Sequence, residues 1–214
     1  MTEVKAQRIG VMGGTFDPIH YGHLVAAEEA REAFGLEKII FVPAGIPPHK
    51  VEGQVTPARH RYLMTLLAIM GNPGFEASRV DLDRGRVTYT VDTLTDLMEI
   101  LPPETSMYFI TGADAILEIL TWKAPEQVLG LAEFIAVTRP GYGLDQLATA
   151  LGPLYEPFQD RIHILEMPPM GISSTDLRRR LANGRSIRYL LPETVATYIY
   201  GEGLYGTGGK GEDR

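Results

Sequence analysis

The sequence has no cysteine among its 214 residues, which excludes disulfide bonds, cysteine nucleophiles and thiolate metal ligands. It also lacks the run of about 18 apolar residues that a membrane-spanning helix requires. No apolar core follows the charged N-terminal residues, as it would in a secretory leader. We therefore expect a cytoplasmic protein with no membrane partner.

Basic residues are also scarce, because 20 Lys and Arg against 27 Asp and Glu give a formal net charge of −7. A surface that binds nucleic acid needs a basic face, so the sequence predicts no nucleic-acid partner. Any anionic ligand must instead be held by a local cluster of groups. The chain has an ordinary globular composition and a length typical of one domain. Whether copies associate as a homo-oligomer is left open.

The most informative segment lies near the N-terminus. Residues 9–12 are apolar, Gly13 and Gly14 follow, and a helical pattern of Ala, Glu and Leu starts at Leu24. This order predicts a strand, a tight loop and a helix. A helix that begins after a glycine loop directs unpaired N–H groups and the positive end of its dipole forward. The segment therefore predicts a phosphate-binding site.

Two histidines occupy the same turn. His20 and His23 are separated by Tyr21 and Gly22, so both imidazoles can face a bound anion if the helix starts at about Tyr21. One histidine in such a place is more often structural, but two directly after Gly-Gly-Thr-Phe-Asp-Pro favour a functional pair. A zinc site would need cysteines or a His-Glu-x-x-His helix, and a Walker loop would need Gly-Lys-Ser/Thr after the glycines. The sequence has none of these.

Residues 13–23, Gly-Gly-Thr-Phe-Asp-Pro-Ile-His-Tyr-Gly-His, resemble the signature of nucleotidyltransferases with the His-x-Gly-His motif, relatives of class I aminoacyl-tRNA synthetases. The Phe-Asp-Pro-x-His form is most similar to the bacterial nicotinate-nucleotide adenylyltransferases. The resemblance implies that this motif cradles the triphosphate of ATP and stabilises the transferring α-phosphate. The ATP contacts it implies here are Gly13, Gly14, Thr15, Phe16, His20 and His23.

The rest of the chain alternates strand and helix patterns, and predicts an α/β fold. We expect a Rossmann-like, doubly wound parallel sheet flanked by helices on both faces, in one domain over residues 7–200, with a disordered tail over 201–214. The predicted strands cover residues 38–43, 75–83, 106–110, 133–138 and 161–165. The predicted helices cover residues 24–34, 56–70, 115–120 and 144–151, with others ending near 101 and 200. In the helix over 56–70, apolar positions 63, 66, 67 and 70 predict a stripe that faces the core.

Two loops supply candidate cations. Pro47-Pro-His-Lys50 follows a strand, at the sheet edge where open α/β folds bind ligands, and it resembles the family's second motif. Rigid prolines that present Lys50 suit a cation that contacts phosphate. Arg139 follows another strand and is a weaker candidate for phosphate contact.

The segment Ile172-Ser173-Ser174-Thr175 with Arg178 has two interpretations. It is either a capped helix with a solvated basic face or a phosphate site built from hydroxyls, N–H groups and a guanidinium. The spacing alone leaves both open. The resemblance to the superfamily's Ile-Ser-Ser-Thr-x-Ile-Arg favours ATP binding by Ile172, Ser173, Ser174 and Arg178.

Asp114 follows Gly112 at a strand-to-helix turn, where a carboxylate can accept ribose hydroxyls or cap the helix. The spacing leaves these two roles equal. The stretch Gly-Ala-Asp followed by Trp122 is similar to a family stretch, and this implies that Gly112 and Asp114 contact ATP.

Trp122 is the single tryptophan, and an unplaced tryptophan is most often a core anchor. Thr88-Tyr-Thr90, followed by Asp-Thr-Leu94, resembles the family's Ser-Tyr-Thr-x-Asp-Thr-Leu, with threonine in the first place. The resemblance implies that Trp122 stacks on the nicotinate ring, beside Thr90 and the backbone of Lys123. Arg139 completes the candidate set for nicotinate mononucleotide.

Together these motifs imply adenylyl transfer from ATP to nicotinate mononucleotide in NAD biosynthesis. The phosphate nucleophile is anionic at pH 7, so the site needs alignment and charge stabilisation rather than a general base. His20, His23, Lys50 and Arg178 are the expected catalytic residues. Mg²⁺ should enter on the phosphates of ATP, with no metal ligand from protein side chains.

Two alternatives remain open. One is a sibling adenylyltransferase that acts on nicotinamide mononucleotide or phosphopantetheine, and the other is a non-catalytic nucleotide-binding module. The enzymatic hypothesis requires residues 13–23 (the histidine turn) and residues 172–178 (the serine-arginine turn) to meet across one crevice.

Overall fold

A computed structural model describes residues 7–48, 55–138 and 147–208. Across these residues, parallel strands form a six-stranded sheet in the order β3-β2-β1-β4-β5-β6. The strands are β1 (Arg8–Gly14), β2 (Lys38–Pro43), β3 (Phe75–Ala77), β4 (Ser106–Gly112), β5 (Glu133–Thr138) and β6 (Ile162–Glu166).

Helices connect the strands and cover both faces of the sheet. They are α1 (Tyr21–Ala33), α2 (Ala58–Ile69), α3 (Val80–Asp83), α4 (Thr90–Ile100), α5 (Ala113–Leu117), α6 (Pro125–Leu131), α7 (Leu147–Leu151), α8 (Tyr155–Phe158), α9 (Ser174–Ala182) and α10 (Glu193–Gly201). Short 3₁₀ turns lie at Ile119–Thr121, Gly152–Leu154, Gln159–Arg161 and Leu204–Gly206. No helix in these three described ranges is long and apolar enough to cross a membrane.

The strands alternate their apolar side chains between two cores. Phe41 and Ile110 lie in a core with residues of α1, α2, α9 and α10, whereas Val11 and Phe109 lie in a core with residues of α4, α5, α6 and α7. Strands covered on both faces read as continuous apolar runs, which is why residues 39–42 are almost fully buried. The predicted Rossmann-like, doubly wound fold is confirmed.

The strand order reverses direction between β1 and β4, which pair in parallel from Arg8 and Ser106 onward. The connections that leave these two strands run in opposite directions, and a crevice opens between them at the carboxyl edge of the sheet. Open α/β sheets bind ligands at such a switch point.

The core-facing stripe expected on α2 was wrong at two of its four positions, although Leu67 does pack against the core. Leu63 and Met70 are 41% and 73% exposed, while the buried residues of the helix are His60, Arg61, Met64, Thr65 and Ile69. The buried face of α2 includes Arg61, whose guanidinium points inward and bonds to main-chain carbonyls. With Arg61 on the inner face, Leu63 lies on the outer face of the helix.

The strand predicted over residues 75–83 was also too long. Its ladder ends soon after Ala77, where the Ser78 N–H bonds to the Phe41 carbonyl. The Ser78 hydroxyl then accepts a hydrogen bond from the Val80 N–H and starts α3. A hydroxyl that offers the backbone a local partner favours a turn over a continued strand.

Smaller differences concern helix ends. The helix predicted over 115–120 begins at Ala113 and gives way to a 3₁₀ turn after Leu117. Residues 144–146 of the helix predicted over 144–151 lie outside the described residues.

The disordered tail was predicted to start at residue 201, and for residues 201–208 the structure shows otherwise. Gly201 ends α10, and Leu204–Gly206 forms a 3₁₀ turn whose Leu204 and Tyr205 pack against the core. The glycine-rich composition suggested disorder, but the apolar pair inside it buries surface. Residues 209–214 lie outside the described residues.

Candidate active site

A cavity of about 410 Å³ lies in the crevice at the carboxyl ends of β1, β4 and β5. Its walls come from the β1–α1 connection, the β4–α5 turn and the segment between β6 and α9. Residues that line it include Met12, Gly13, His20, Gly22, His23, Thr111, Gly112, Asp114, Thr138, Met167, Pro168 and Ile172.

His20 and His23 form a stacked pair in this wall. Their ring centroids are 3.8 Å apart with 27° between the planes, and the His20 N–H donates to His23 Nδ1 at 3.2 Å. The helix begins at Tyr21, as expected. A Cβ at Gly22 would lie 3.0 Å from the His20 ring, so the residue between the histidines must be small.

Burial determines the charge of this pair. Desolvation lowers the pKa of His20 to about 4, and desolvation together with the nearby His20 lowers the pKa of His23 to about 3. Both rings are therefore neutral at pH 7. Because His23 Nδ1 accepts a hydrogen bond, its proton sits on Nε2. Among the described residues, His20 Nδ1 is buried and has no hydrogen-bond partner.

The residues just before the histidines form a tightly packed loop against the His23 ring. Phe16 has a left-handed φ of 47°, and a Cβ at Gly14 would lie 2.8 Å from its ring. The Phe16 ring packs edge-on against the His23 ring at 5.1 Å. Gly13 lines the cavity, whereas Gly14, Thr15 and Phe16 do not. The Phe16 side chain thus supports a histidine and does not face the cavity.

The serine-arginine turn meets the histidine turn. Ser174 Oγ donates to the Pro18 carbonyl at 2.9 Å, and Arg178 Nη1 donates to the Asp17 carbonyl at 2.7 Å. Ser173 is the N-cap of α9 and accepts from the Asp176 N–H at 3.2 Å. The juxtaposition that the enzymatic hypothesis required is therefore present, and Ile172 extends it to the cavity wall.

The β4–α5 turn contributes Gly112 and Asp114 to the opposite wall. Asp114 is exposed and lies in the first turn of α5. A Cβ at Gly112 would meet no atom within 4 Å, so the space above this residue is open. A carboxylate beside open space at the end of a parallel strand is in a suitable place to accept ribose hydroxyls.

Thr90, Trp122 and Lys123 do not line this cavity. They belong to a neighbouring cluster, in which Lys123 Nζ lies 3.6 Å from Asp92 Oδ2 and 4.5 Å from the centre of the Tyr89 ring. Thr90 begins α4 beside these two residues.

Trp122 is half-buried and contacts Phe109 edge-on at 6.1 Å. The Phe109 ring lies 3.3 Å from where a Cβ of Gly13 would be. The Phe109 ring therefore lies between Trp122 and Gly13, and it separates the cluster of Tyr89, Asp92, Trp122 and Lys123 from the cavity. Part of the indole packs on the core and part of it remains accessible.

Two candidates cannot be placed, because Lys50 and Arg139 lie outside the described residues. No group of three or more His, Asp or Glu within the described ranges is arranged to hold a metal ion. A divalent cation here would have to be carried by oxygens of a ligand, as is usual for Mg²⁺ with nucleotides.

The sequence interpretation missed two residues beneath the loop, Arg61 and Tyr205. Arg61 is 1% exposed and donates to the carbonyls of Thr56, Thr15 and Gly45 at 2.8, 2.8 and 2.9 Å. Nothing in the local pattern distinguishes it from a solvated helix arginine. Tyr205 was hidden in a segment whose glycines suggested disorder.

Comparison with known proteins adds independent observations. The family model described as cytidylyltransferase-like matches residues 11–180. A protein of Moorella thermoacetica is 55% identical over 92% of this chain and 91% of its own length. One of a Thermoanaerobacter species is 52% identical over 92% of this chain and 94% of its own length. Both carry the name "Probable nicotinate-nucleotide adenylyltransferase".

Solved structures share the fold. The nicotinic acid mononucleotide adenylyltransferase of Plasmodium falciparum complexed with NaAD aligns with a TM-score of 0.74 at 22% identity, covering 93% of this chain and 97% of that one. The same protein complexed with APC aligns with a TM-score of 0.72 and the same identity and coverage.

Proposed function

Because the chain belongs to the nicotinate-nucleotide adenylyltransferase family of cytidylyltransferase-like proteins, we propose that its cavity transfers the adenylyl group of ATP to nicotinate mononucleotide. The products are deamido-NAD and pyrophosphate, as a step of NAD biosynthesis in the cytoplasm. The observation that carries the proposal is the stacked histidine pair in a cavity whose wall is joined to the serine-arginine turn.

In the proposed reaction a phosphate oxygen of nicotinate mononucleotide attacks the α-phosphorus of ATP. A bond forms between them, the bond to the bridging oxygen breaks, and pyrophosphate leaves with that electron pair. The nucleophile is already anionic, so the protein aligns the two phosphates and stabilises the charge that develops. The N-terminus of α1, with the positive end of its dipole, lies in the wall where the triphosphate would bind. The N–H groups of Tyr21 and His23 bond to the carbonyls of Leu190 and His20, so they are not the free donors that the sequence predicted.

The histidines have a role that follows from their burial. His23 is neutral with its proton on Nε2, so it can donate one hydrogen bond to a phosphate oxygen. His20 Nδ1 has no partner among the described residues, and a buried polar atom without a partner is costly unless a ligand satisfies it. Negative charge in the cavity favours the protonated forms of both rings. The pair would thus gain charge as the triphosphate binds.

Other residues of the cavity would hold the rest of ATP. We assign Asp114 and Gly112 to the ribose, and Ile172, Ser173 and Ser174 to the phosphates and base through the turn before α9. Arg178 supports the loop through Asp17 and contributes a positive charge beside it. Lys50 remains a proposed phosphate ligand from the sequence alone. Mg²⁺, bound through the phosphate oxygens of ATP, would neutralise the charge of the departing pyrophosphate.

The pyridine nucleotide would occupy the adjoining cluster. We assign the nicotinate ring to the accessible face of Trp122, and its carboxylate to Thr90 and the backbone at Lys123. Arg139 is proposed for the phosphate of the mononucleotide. This arrangement would direct that phosphate past Phe109 towards the histidines.

The proposal is tested by release of pyrophosphate from ATP with Mg²⁺ and one acceptor at a time. We expect turnover with nicotinate mononucleotide, a lower kcat/KM with nicotinamide mononucleotide, and none with phosphopantetheine. A higher kcat/KM with the amide would reassign the acceptor but keep the transferase. No turnover with any acceptor, together with binding of ATP, would identify a nucleotide-binding module instead.

A further inference from the structure

The 3₁₀ turn at Leu204–Gly206 (the C-terminal turn) is joined by a partly buried hydrogen bond to residues 15–20 between β1 and α1 (the phosphate loop). Tyr205 donates its hydroxyl proton to Asp17 Oδ1 at 2.6 Å, across 188 residues of sequence. Asp17 is 4% exposed, and its other carboxylate oxygen accepts from the Thr56 N–H at 3.3 Å. The same residue offers its main-chain carbonyl to Arg178. Asp17 thus connects the C-terminal turn, the residues before α2, and α9.

Arg61 is buried close to Asp17. Its guanidinium donates to the carbonyl of Thr15, in the loop after β1, and to the carbonyl of Gly45, in the loop after β2. Burial lowers the pKa of Arg61, and the nearby Asp17 raises it, so the two charges stabilise one another without a direct bond between them. A buried arginine bonded to main-chain carbonyls fixes the relative positions of those loops.

Tyr205 has an unusual environment for a residue so near the end of the chain. Its backbone has a left-handed φ of 55°, a strained value for a bulky side chain. Burial, together with Asp17, raises the pKa of the Tyr205 hydroxyl, so that it stays protonated and acts as a donor. Strain of this kind persists only where the surrounding contacts over-determine it.

Asp17 is connected to the cavity by the chain itself, because it lies three residues before His20. Asp17 is followed by Pro18 and Ile19 and then by His20, and the Pro18 carbonyl is itself bonded to Ser174. Any shift of Asp17 would therefore move the start of α1 and the histidine pair. Adenylyl transfer depends on alignment, and displacement of about 1 Å can cost a factor of about 100 in rate.

We propose that Tyr205 is a positioning residue for the transferase site, holding the phosphate loop in its reactive geometry through the buried carboxylate of Asp17. The inference rests on the proposed function. It assigns a role in the reaction to the C-terminal turn, which does not line the cavity.

The test compares Tyr205→Phe with Tyr198→Phe. Tyr198 lies on the preceding helix and bonds to His60 Nδ1 at 2.8 Å, so its variant loses a hydrogen bond to α2 without touching the phosphate loop. We expect Tyr205→Phe to lower kcat/KM for ATP about tenfold and to leave KM for nicotinate mononucleotide within twofold. Tyr198→Phe should lower Tm by a similar amount and leave both kinetic constants within twofold.

Two further measurements separate positioning from a general loss of stability. If Tyr205 acts through Asp17, adding Tyr205→Phe to Asp17→Asn should cause little additional loss of kcat/KM. Hydrogen exchange of the amides in residues 13–23, followed by mass spectrometry, should be faster in Tyr205→Phe than in Tyr198→Phe.

The outcomes are distinct for the two proposals. Wild-type protein that releases no pyrophosphate overturns the proposed function, while the exchange measurement still decides whether Tyr205 holds the loop. An active wild type with unchanged kcat/KM in Tyr205→Phe, or equal exchange in the two variants, overturns the positioning role.

Discussion

At the scale of single residues, the molecule depends on two histidines kept neutral by burial in a site suited to an anion. The two rings stack with their centroids 3.8 Å apart, and burial lowers the pKa of His20 to about 4 and that of His23 to about 3, so neither ring carries charge before a ligand binds. Two adjacent imidazolium ions would repel each other in an empty cavity. In the proposed reaction, the bound triphosphate would supply negative charge that favours their protonation.

The first prediction concerns His23. Replacing His23 by Ala should lower kcat at least about 100-fold and change KM for ATP only a few-fold, because its hydrogen bond should be strongest in the transition state. Steady-state kinetics of pyrophosphate release measure both constants. His163→Ala is the matched control, since His163 pairs with Glu133 at 2.6 Å and does not line the cavity. An unchanged kcat would remove His23 from the chemistry.

The second prediction concerns stability and pH. The pKa of His20 is about 4 in the folded state and 6.5 in the unfolded state, so between these values the unfolded chain binds protons that the folded chain does not. The free energy of unfolding should therefore fall as the pH falls from about 6.5 towards 4. Above pH 6.5 both states are neutral and the effect is absent.

Urea denaturation at pH 7.5 and pH 5 measures this effect. Wild type should lose about 2 kcal/mol more than His20→Asn over that interval, from the depressed pKa of this one ring. At pH 7.5 the ionisation of His20 should make no contribution to the difference in unfolding free energy between the two proteins. Equal losses in both proteins would show that His20 is not buried as a neutral ring.

The sequence could identify residues whose chemistry is written in a short motif. The motif predicted that His20, His23 and Gly13 lie together, and the structure places all three in one cavity wall, while their roles remain predictions. Arg61 and Tyr205 were missed because their partners come from distant segments. The burial of a charged group is decided by carbonyls that only the folded chain assembles, and no spacing rule contains that information.

At the scale of elements, α9 and the loop after β1 act as one unit. From this helix, Ser174 donates a hydrogen bond to the Pro18 carbonyl and Arg178 donates one to the Asp17 carbonyl. The helix therefore fixes the loop, in addition to the loop's own glycines. Because both hydrogen bonds go to the main chain, the contact does not depend on the side chains of the loop.

The third prediction tests this unit with Arg178→Lys. The guanidinium bonds to the Asp17 carbonyl through Nη1 and to Thr175 Oγ1 through Nη2, and a single ammonium group cannot reproduce that fork. We expect kcat/KM for ATP to fall at least about tenfold although the charge is retained.

The control for this prediction lies on the same helix. Arg179 is 70% exposed and pairs with Asp176 at 2.6 Å on the solvent side, so Arg179→Lys should leave kcat/KM within about twofold. Equal effects of the two substitutions would contradict a specific role for the Arg178 guanidinium.

Elements with a simple apolar pattern were predicted well, and elements with polar burial were not. β2 has the bounds expected from its apolar run, because a strand covered on both faces has little choice of partners. In α2 the polar Arg61 and Thr65 are buried while Leu63 is exposed. A hydrophobicity pattern cannot anticipate such a helix, since hydrogen bonds rather than apolar area determine which face turns inward.

At the scale of the whole molecule, both proposed subsites belong to one sheet. The cavity and the tryptophan cluster lie on either side of Phe109, which is itself a core residue of β4. Neither subsite has a domain of its own, and the sheet fixes the distance between them.

The fourth prediction follows from this shared sheet. Calorimetry should show one cooperative unfolding transition, and ATP or deamido-NAD should shift the whole transition. Ligand at 100 times its Kd adds about 2.7 kcal/mol, or roughly 5–10 °C in Tm for a chain of this size. Two transitions, of which nucleotide moves only one, would contradict a single folding unit.

The fold class could be predicted from the alternation of apolar strands and helices, because parallel crossovers leave few topologies open. The lateral order of the strands and the role of the chain end could not, since both depend on contacts between residues far apart in sequence. Within the described part of the chain, the hydrogen bond between Asp17 and Tyr205 joins residues that are 188 positions apart.

That separation has a consequence for biosynthesis. During synthesis, Asp17 and both histidines leave the ribosome well before Tyr205, because 188 residues separate Asp17 from its hydrogen-bond partner. A nascent chain would therefore carry both histidines long before the hydrogen bond between Tyr205 and Asp17 could form.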